Sequence, residues 1–136
     1  ELHGFLSYLV KCNIKQKKYN IFGYKGKQVR DNIHSYDLVN AIWEFYKKPK
    51  KGEIYNLGGG RKNSCSVLEA IYLAEKLSGI KFKYRLLKKN RTGDHKWYIT
   101  DNSKFSKHFK NWKMKYNLNL ILKEMINKEM KLNDNY

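Results

Sequence analysis

Cysteine occurs only twice in this chain of 136 residues, at Cys12 and Cys65, with no C-x-x-C pair and no histidine at metal-ligand spacing. That scarcity argues against a zinc site or a disulfide framework and fits reduced thiols in a cytoplasmic protein. No apolar run approaches the roughly 18 residues of a membrane span, and Glu1-Leu2-His3-Gly4 shows neither a basic leader nor a cleavage site. Membrane and secretory readings drop out. His3, His34, His95 and His108 are scattered, without a neighbouring acid or thiol in a nucleophile arrangement. Carboxylates are few as well: 12 Asp and Glu stand against 29 Lys and Arg, for a net charge of +17.

Such a balance raises nucleic acid or an anionic ligand as a first hypothesis. Only four of the cations are arginine, however, and the lysines are spread over nearly every segment. Nucleic-acid readers favour arginine for its bidentate contacts. Lysine and the 14 asparagines are residues that AT-rich codons supply, so a solvated lysine coat is favoured over a nucleic-acid face. With 41% hydrophobic and 15% aromatic residues, the chain has enough apolar material to fold as one compact domain. It begins without methionine, directly in an amphipathic pattern, and is expected to be a piece of a longer protein.

Apolar spacing predicts a helix over residues 2–13, and Lys15 to Lys18 form a polar connector. Tyr19 to Phe22 and Gln28 to His34 read as two strands of a hairpin around Tyr24-Lys25-Gly26-Lys27. Asp37 is placed as the cap of a helix with Leu38, Ala41, Ile42 and Phe45 inward, ended by Pro49 and Gly52. Glu53 to Leu57 is a short strand. Ser66-Val67-Leu68-Glu69 is a capping box, opening a helix with Val67, Ala70, Ile71, Ala74 and Leu77 inward and Gly79 at its end. Phe82, Tyr84 and Leu86 alternate in a half-exposed strand, and a polar loop runs from Lys88 to His95. Trp97 to Ile99 is another strand, and Asp101 caps a brief helix carrying Phe105 and Phe109. Leu118, Ile121, Leu122, Met125 and Ile126 mark a terminal helix. There is no internal repeat. Alternating strands and helices give an α/β or α+β class, with too few strands for a complete doubly wound sheet.

Two arginine–aspartate groupings stand out because arginine is scarce: Arg30-Asp31, and Arg91-Thr92-Gly93-Asp94 in a loop. Guanidinium forks match the paired oxygens of a diphosphate, and a nearby carboxylate can accept from ribose hydroxyls or a base N–H. Local ion pairs or a turn-forming aspartate would give the same spacing. Gly58-Gly59-Gly60 lies between strand and helix, yet Asn63 stands where a dinucleotide fingerprint requires Gly or Ala, and no P-loop lysine–serine pair follows. A tight loop with a close backbone approach is the better reading. Y-x-x-x-K occurs at Tyr46/Lys50, Tyr72/Lys76 and Tyr84/Lys88, about the frequency chance gives in so lysine-rich a chain. Pro49 interrupts the first, the second points off its helix's buried stripe, and the third lies in a strand. None is assigned to catalysis.

Several blocks together carry a family resemblance. They are His3-Gly4-Phe5-Leu6, Asn20-Ile21-Phe22-Gly23, Gly26 to His34 (GKQVRDNIH), Asp37-Leu38, Ile54 to Gly59 (IYNLGG), Arg91-Thr92-Gly93-Asp94 and Asp101-Asn102-Ser103-Lys104. In order and spacing the chain, from about residue 3 to 125, resembles the carboxyl-terminal half of the extended short-chain dehydrogenase/reductase family. That family comprises NAD-dependent nucleotide-sugar epimerases and dehydratases. The Gly26 to Asp31 stretch is most similar to the CDP-paratose 2-epimerase (CDP-tyvelose epimerase) group.

The resemblance implies an α/β fold in which residues 1–136 are the substrate-binding, carboxyl-terminal portion of an extended Rossmann-type enzyme. It makes Arg30 and Arg91 ligands of the substrate diphosphate, with Asp94 near the ribose or base. Asn20 and Phe22 would line the nucleobase, and Gly4-Phe5 would start the helix beside the nucleotide. Asp31 is expected to hold the hairpin. The glycine fingerprint, the catalytic Ser/Thr and the Tyr-x-x-x-Lys pair would all precede this region, so NAD and its hydride chemistry belong to an amino-terminal domain absent here. The implied whole is a cytoplasmic, homo-oligomeric epimerase acting on a nucleotide-diphosphate sugar, and this portion alone would be inactive. A dehydratase or reductase of the same family is the enzymatic alternative. A basic single-stranded nucleic-acid module, with Tyr and Trp stacking on bases, is the alternative from another class.

Overall fold

The computed structural model describes residues 4–134. The first helix, α1 (Phe5–Ile14), buries Leu6, Leu9, Val10 and Cys12. Leu2 and His3, part of the expected start of that helix, lie outside the described residues. Strand β1 (Tyr19–Phe22) follows, then a 3₁₀ turn over Tyr24–Gly26, strand β2 (Val29–Asp31) and helix α2 (Ser35–Lys47). A second 3₁₀ turn (Arg61–Asn63) leads into β3 (Ser64–Ser66) and α3 (Val67–Ser78). Strands β4 (Tyr84–Leu87) and β5 (Trp97–Tyr98), a short helix α4 (Ser103–His108) and the long α5 (Leu118–Asp134) complete the chain.

Helices α1, α3 and α5 pack on one another and on β1 around the main core. Leu9, Ile21, Ala70, Ala74, Leu122 and Ile126 lie at its centre. Each fully buried leucine or isoleucine there contributes about 1.5–3 kcal/mol through apolar surface removed from water. Asn13, fully buried in α1, donates from Nδ2 to the Ile80 carbonyl at 2.9 Å and accepts from the Ser78 hydroxyl at 2.7 Å, fixing the end of α3 against α1. A second, aromatic core joins Ala41 of α2 to Phe105, Phe109 and Trp112, with Phe45, Tyr55 and Leu57 at its edge.

The capping box forms as the sequence predicts. Glu69 N–H donates to Ser66 Oγ at 3.2 Å, and Ser66 N–H donates to Glu69 Oε2 at 2.7 Å. Gly79 closes α3 in the left-handed region at φ +70°. The fold is α/β as expected, but four local expectations are corrected. First, β1 and β2 do not form a hairpin: β1 pairs parallel with β4, whereas β2 pairs antiparallel with β3 and parallel with β5. The positive φ angles from Gly23 to Gly26 turn the chain out of one sheet and into the other, and Gly26 packs so closely on Leu68 that a side chain would collide there.

Second, residues 53–57 form no strand, and no ladder joins them to another described segment. Third, His34, not Asp37, caps α2: its Nδ1 accepts the Tyr36 N–H at 3.1 Å, which leaves Asp37 inside the first turn and buried. Fourth, Ile42 and Leu77 are exposed: the aromatic core takes only the Ala41 side of α2, and Ala74 is the last buried residue of α3. Asp101 does serve the start of α4, accepting the Ser103 N–H at 2.8 Å, although Asn102 occupies the cap position.

Candidate nucleotide site

The expected site residues come from four separate parts of the chain. Phe5 opens α1, Asn20 and Phe22 belong to β1, Arg30 to β2, and Arg91 and Asp94 to the loop between β4 and β5. These six line one cavity of about 600 Å³, within the range of small-ligand pockets. Gly4 is not among its lining residues; it caps α1 immediately before Phe5 and lies exposed.

The strands and loop converge there for local reasons. The parallel register of β1 on β4 ends at Phe22 opposite Leu87, and Gly23 N–H donates to the Leu87 carbonyl at 3.0 Å. The 88–96 loop therefore leaves β4 beside Phe22, and Asn90 packs where any side chain on Gly23 would collide with it. Gly93, at φ +74°, bends the loop, and Asp94 N–H donates to the Arg91 carbonyl at 3.2 Å. This geometry presents Arg91 and Asp94 together.

Their partners cross between the two groupings. Arg30 Nη2 donates to Asp94 Oδ1 at 2.6 Å, and Arg30 Nη1 donates to the Val29 carbonyl at 2.7 Å. The Tyr24 hydroxyl donates to the Asp94 carbonyl at 3.4 Å. The Arg91 guanidinium lies over the Phe22 ring, 4.5 Å from its centroid. Asp31 is occupied elsewhere: its Oδ2 accepts the N–H of Gly60 at 2.9 Å and of Thr100 at 3.1 Å, so it ties two loops to β2 and holds no hairpin.

Residues that sequence reasoning passed over also line the cavity. Tyr8 and Lys11 follow Phe5 at three-residue steps on one face of α1, the signal that could have found them. Gln28, just before β2, stands two residues before Arg30, the spacing of a strand alternation, and lines the cavity with it. Lys17 adds a fourth cation, against the single carboxylate of Asp94. A wall of Lys11, Lys17, Arg30 and Arg91 suits an anion carrying more than one negative charge. Burial pushes the Tyr19 phenol up to about 12, against the opposing pull of Arg91.

The glycine loop does not fit a dinucleotide. Side chains at Gly58 would collide with Thr100 and Asp31, and one at Gly59 with the Asn32 backbone. The N–H groups of Gly58 and Gly60 are already donated to Asn102 Oδ1 and Asp31 Oδ2. Its glycines serve packing. The described residues hold no cluster of three His, Cys, Asp or Glu side chains suited to a metal ion. Both thiols are buried and neither is in a disulfide, and among the described residues no helix is long and apolar enough to cross a membrane. A second cavity of about 620 Å³, between α1 and α5, contains none of the expected residues; it shares Tyr8 and Lys11 with the first and is lined also by His34 and Glu124.

Residues 1–58 match the sequence profile described as the NAD dependent epimerase/dehydratase family. UDP-arabinose 4-epimerase 1 of Arabidopsis thaliana is 37% identical over 93 residues, covering 67% of this chain and 21% of that protein. CDP-paratose 2-epimerase of Salmonella typhi is 32% identical over 92 residues, covering 66% of this chain and 27% of that protein. Among solved structures, the UDP-glucuronic acid 4-epimerase of Bacillus cereus, in complex with UDP-glucuronic acid and NAD, superposes with a TM-score of 0.80 at 28% identity. That match covers 91% of this chain and 38% of the other. The chain thus spans between a fifth and two fifths of the length of these relatives.

Proposed function

From a chain whose residues 1–58 match the NAD dependent epimerase/dehydratase family, we propose the substrate-gripping portion of a nucleotide-sugar epimerase. Arg30 and Arg91 hold the diphosphate, Asn20 and Phe22 line the base, and Phe5, at the helix start after Gly4, borders the nucleotide. Asp94, paired with Arg30, stands within reach of the ribose or base. The supporting observation is that these residues, from four separate elements, line a single cation-rich cavity. NAD and the reacting groups are assigned to an amino-terminal domain beyond residues 1–136, within a cytoplasmic, homo-oligomeric enzyme. This portion binds and orients; it does not catalyse.

The finer reading is an epimerase of the CDP-paratose 2-epimerase type, resting on the Gly26 to Asp31 stretch and on the Salmonella typhi relative. A UDP-sugar 4-epimerase is the second reading, favoured by the Arabidopsis thaliana relative and its higher identity. Calorimetric titration with CDP and UDP tests both. Saturable 1:1 binding of either nucleotide is expected, and the tighter one decides between the readings. A single diphosphate site should respond modestly to salt, whereas a polynucleotide binder loses affinity steeply through counterion release. Binding of an oligonucleotide with a steep salt slope, and of neither nucleotide, would overturn the proposal.

A further inference from the structure

Gln28, immediately before β2, is 8% exposed and lines the nucleotide cavity together with Arg30. Its Nε2 donates to the Phe22 carbonyl at 3.2 Å, and that bond fixes which way the amide faces. Its Oε1 is buried and has no hydrogen-bond partner, which makes it the one orphaned side-chain polar atom among the described residues. An unpaired buried amide oxygen is costly, because it has given up its hydrogen bond to water without replacement. Such an atom in a ligand cavity is a recognition point awaiting its donor.

The kind of donor follows from its neighbours. Cations surround the diphosphate position, and a lone acceptor gains nothing from phosphate oxygens, which are acceptors themselves. Its natural partner is an N–H. The amide is tied to the backbone of Phe22, the ring proposed to face the base. Building on the nucleotide reading above, we propose that Gln28 is a specificity-determining residue whose Oε1 accepts an N–H from the hydrogen-bonding edge of the bound nucleobase. Uracil offers its ring N3–H there, and cytosine its exocyclic amino group. A side chain that meets only the base adds nothing to diphosphate binding.

Replacing Gln28 with Met keeps the length and removes the acceptor. For the full chain, calorimetry should show UDP or CDP binding weakened about tenfold by Gln28→Met, the scale of one buried hydrogen bond lost. Pyrophosphate affinity should stay unchanged. The wild type should discriminate against N3-methyl-UDP relative to UDP, and Gln28→Met should not. Ribose 5-diphosphate separates base from sugar: equal weakening of this base-free ligand would assign the contact to a hydroxyl and overturn the proposal. Unchanged UDP and CDP affinity would overturn it too, as would pyrophosphate binding that falls in parallel. Pyrophosphate affinity that persists in Gln28→Met guards against loss through misfolding. If the wild type binds neither UDP nor CDP, the nucleotide reading itself fails and this contact with it.

Discussion

The carboxylate of Asp37, in the first turn of α2, accepts the backbone N–H of Tyr116 at 3.0 Å, 79 residues farther along the chain. Its other oxygen accepts the Lys115 N–H at 2.9 Å, and its main-chain carbonyl accepts Trp112 Nε1 at 2.9 Å. The residue is fully buried. One side chain therefore holds the connection before α5 against α2. Asp37→Ala leaves two donors without partners and should lower stability by about 2–4 kcal/mol in urea denaturation. The exposed Asp101→Ala, which removes a single capping bond, should cost about 1 kcal/mol or less. Equal losses would deny Asp37 its bridging role.

The contrast between Asp37 and Ser66 separates what the sequence reveals from what it hides. The Ser66–Glu69 box and the Gly79 stop are legible because their chemistry closes within a few residues. Asp37 resembles a cap because aspartate favours helix starts, and only the distant 115–116 backbone explains its burial. Tyr19 to Phe22 reads as a strand from its composition, but alternation specifies a face and not a partner, so the parallel register with Tyr84 to Leu87 stays invisible. In the cavity, Arg30 and Arg91 stand out against a background of lysine. Gln28 and Tyr8 carry no such contrast, and their importance arises from positions that the fold alone brings together.

Arg91 and Arg85 make a matched pair for testing the site. Both are exposed, but only Arg91 lines the cavity, whereas Arg85 lies in β4. In the intact protein, Arg91→Ala should weaken binding of a CDP-sugar, a UDP-sugar or the free nucleotide diphosphate by about 1.5–3 kcal/mol, the scale of a charge-assisted contact. Arg85→Ala should leave it nearly unchanged. Equal losses by calorimetry would reveal a general effect of charge and no site.

Alkaline pH should unfold the protein through two buried acids. Burial, reinforced by Glu69, pushes the Cys65 thiol from 9.0 up to about 12, and burial pushes the Tyr19 phenol from 10.0 up to about 12. Both groups stay protonated in the folded chain while their unfolded counterparts ionise. The stability is thus fully present below pH 9 and drains away between about pH 9 and 12, at about 1.4 kcal/mol per pH unit for each titrating group. Denaturation midpoints measured from pH 8 to 11 should fall accordingly, and Cys65→Ala should flatten the first part of the decline. A profile level to pH 11 would contradict this. Native Cys65 should also resist alkylation at pH 8 and react once the chain is unfolded.

Expressed alone, these 136 residues should neither bind NAD measurably nor turn over a nucleotide sugar, and they should associate in solution. The glycine loop cannot cradle a pyrophosphate, since Asn32, Thr100 and Asp31 already fill the space that its missing side chains leave. The apolar surface predicts the association. Val39, Ile42, Trp43 and Tyr46 are all more than half exposed and recur at helical spacing on α2, opposite the face that meets the aromatic core. Ile54, 82% exposed, follows on a segment that joins no strand ladder among the described residues. An apolar helix face followed by an exposed apolar residue invites contact between copies, even against the repulsion of +17 charges. Light scattering should therefore show species larger than a monomer, which salt promotes by screening and which Ile42→Gln with Trp43→Gln diminishes. Extending the polypeptide with an amino-terminal NAD-binding domain should raise solubility and activity together. A chain of these residues that stays monomeric and binds NAD at micromolar concentration would refute the division of labour between two halves.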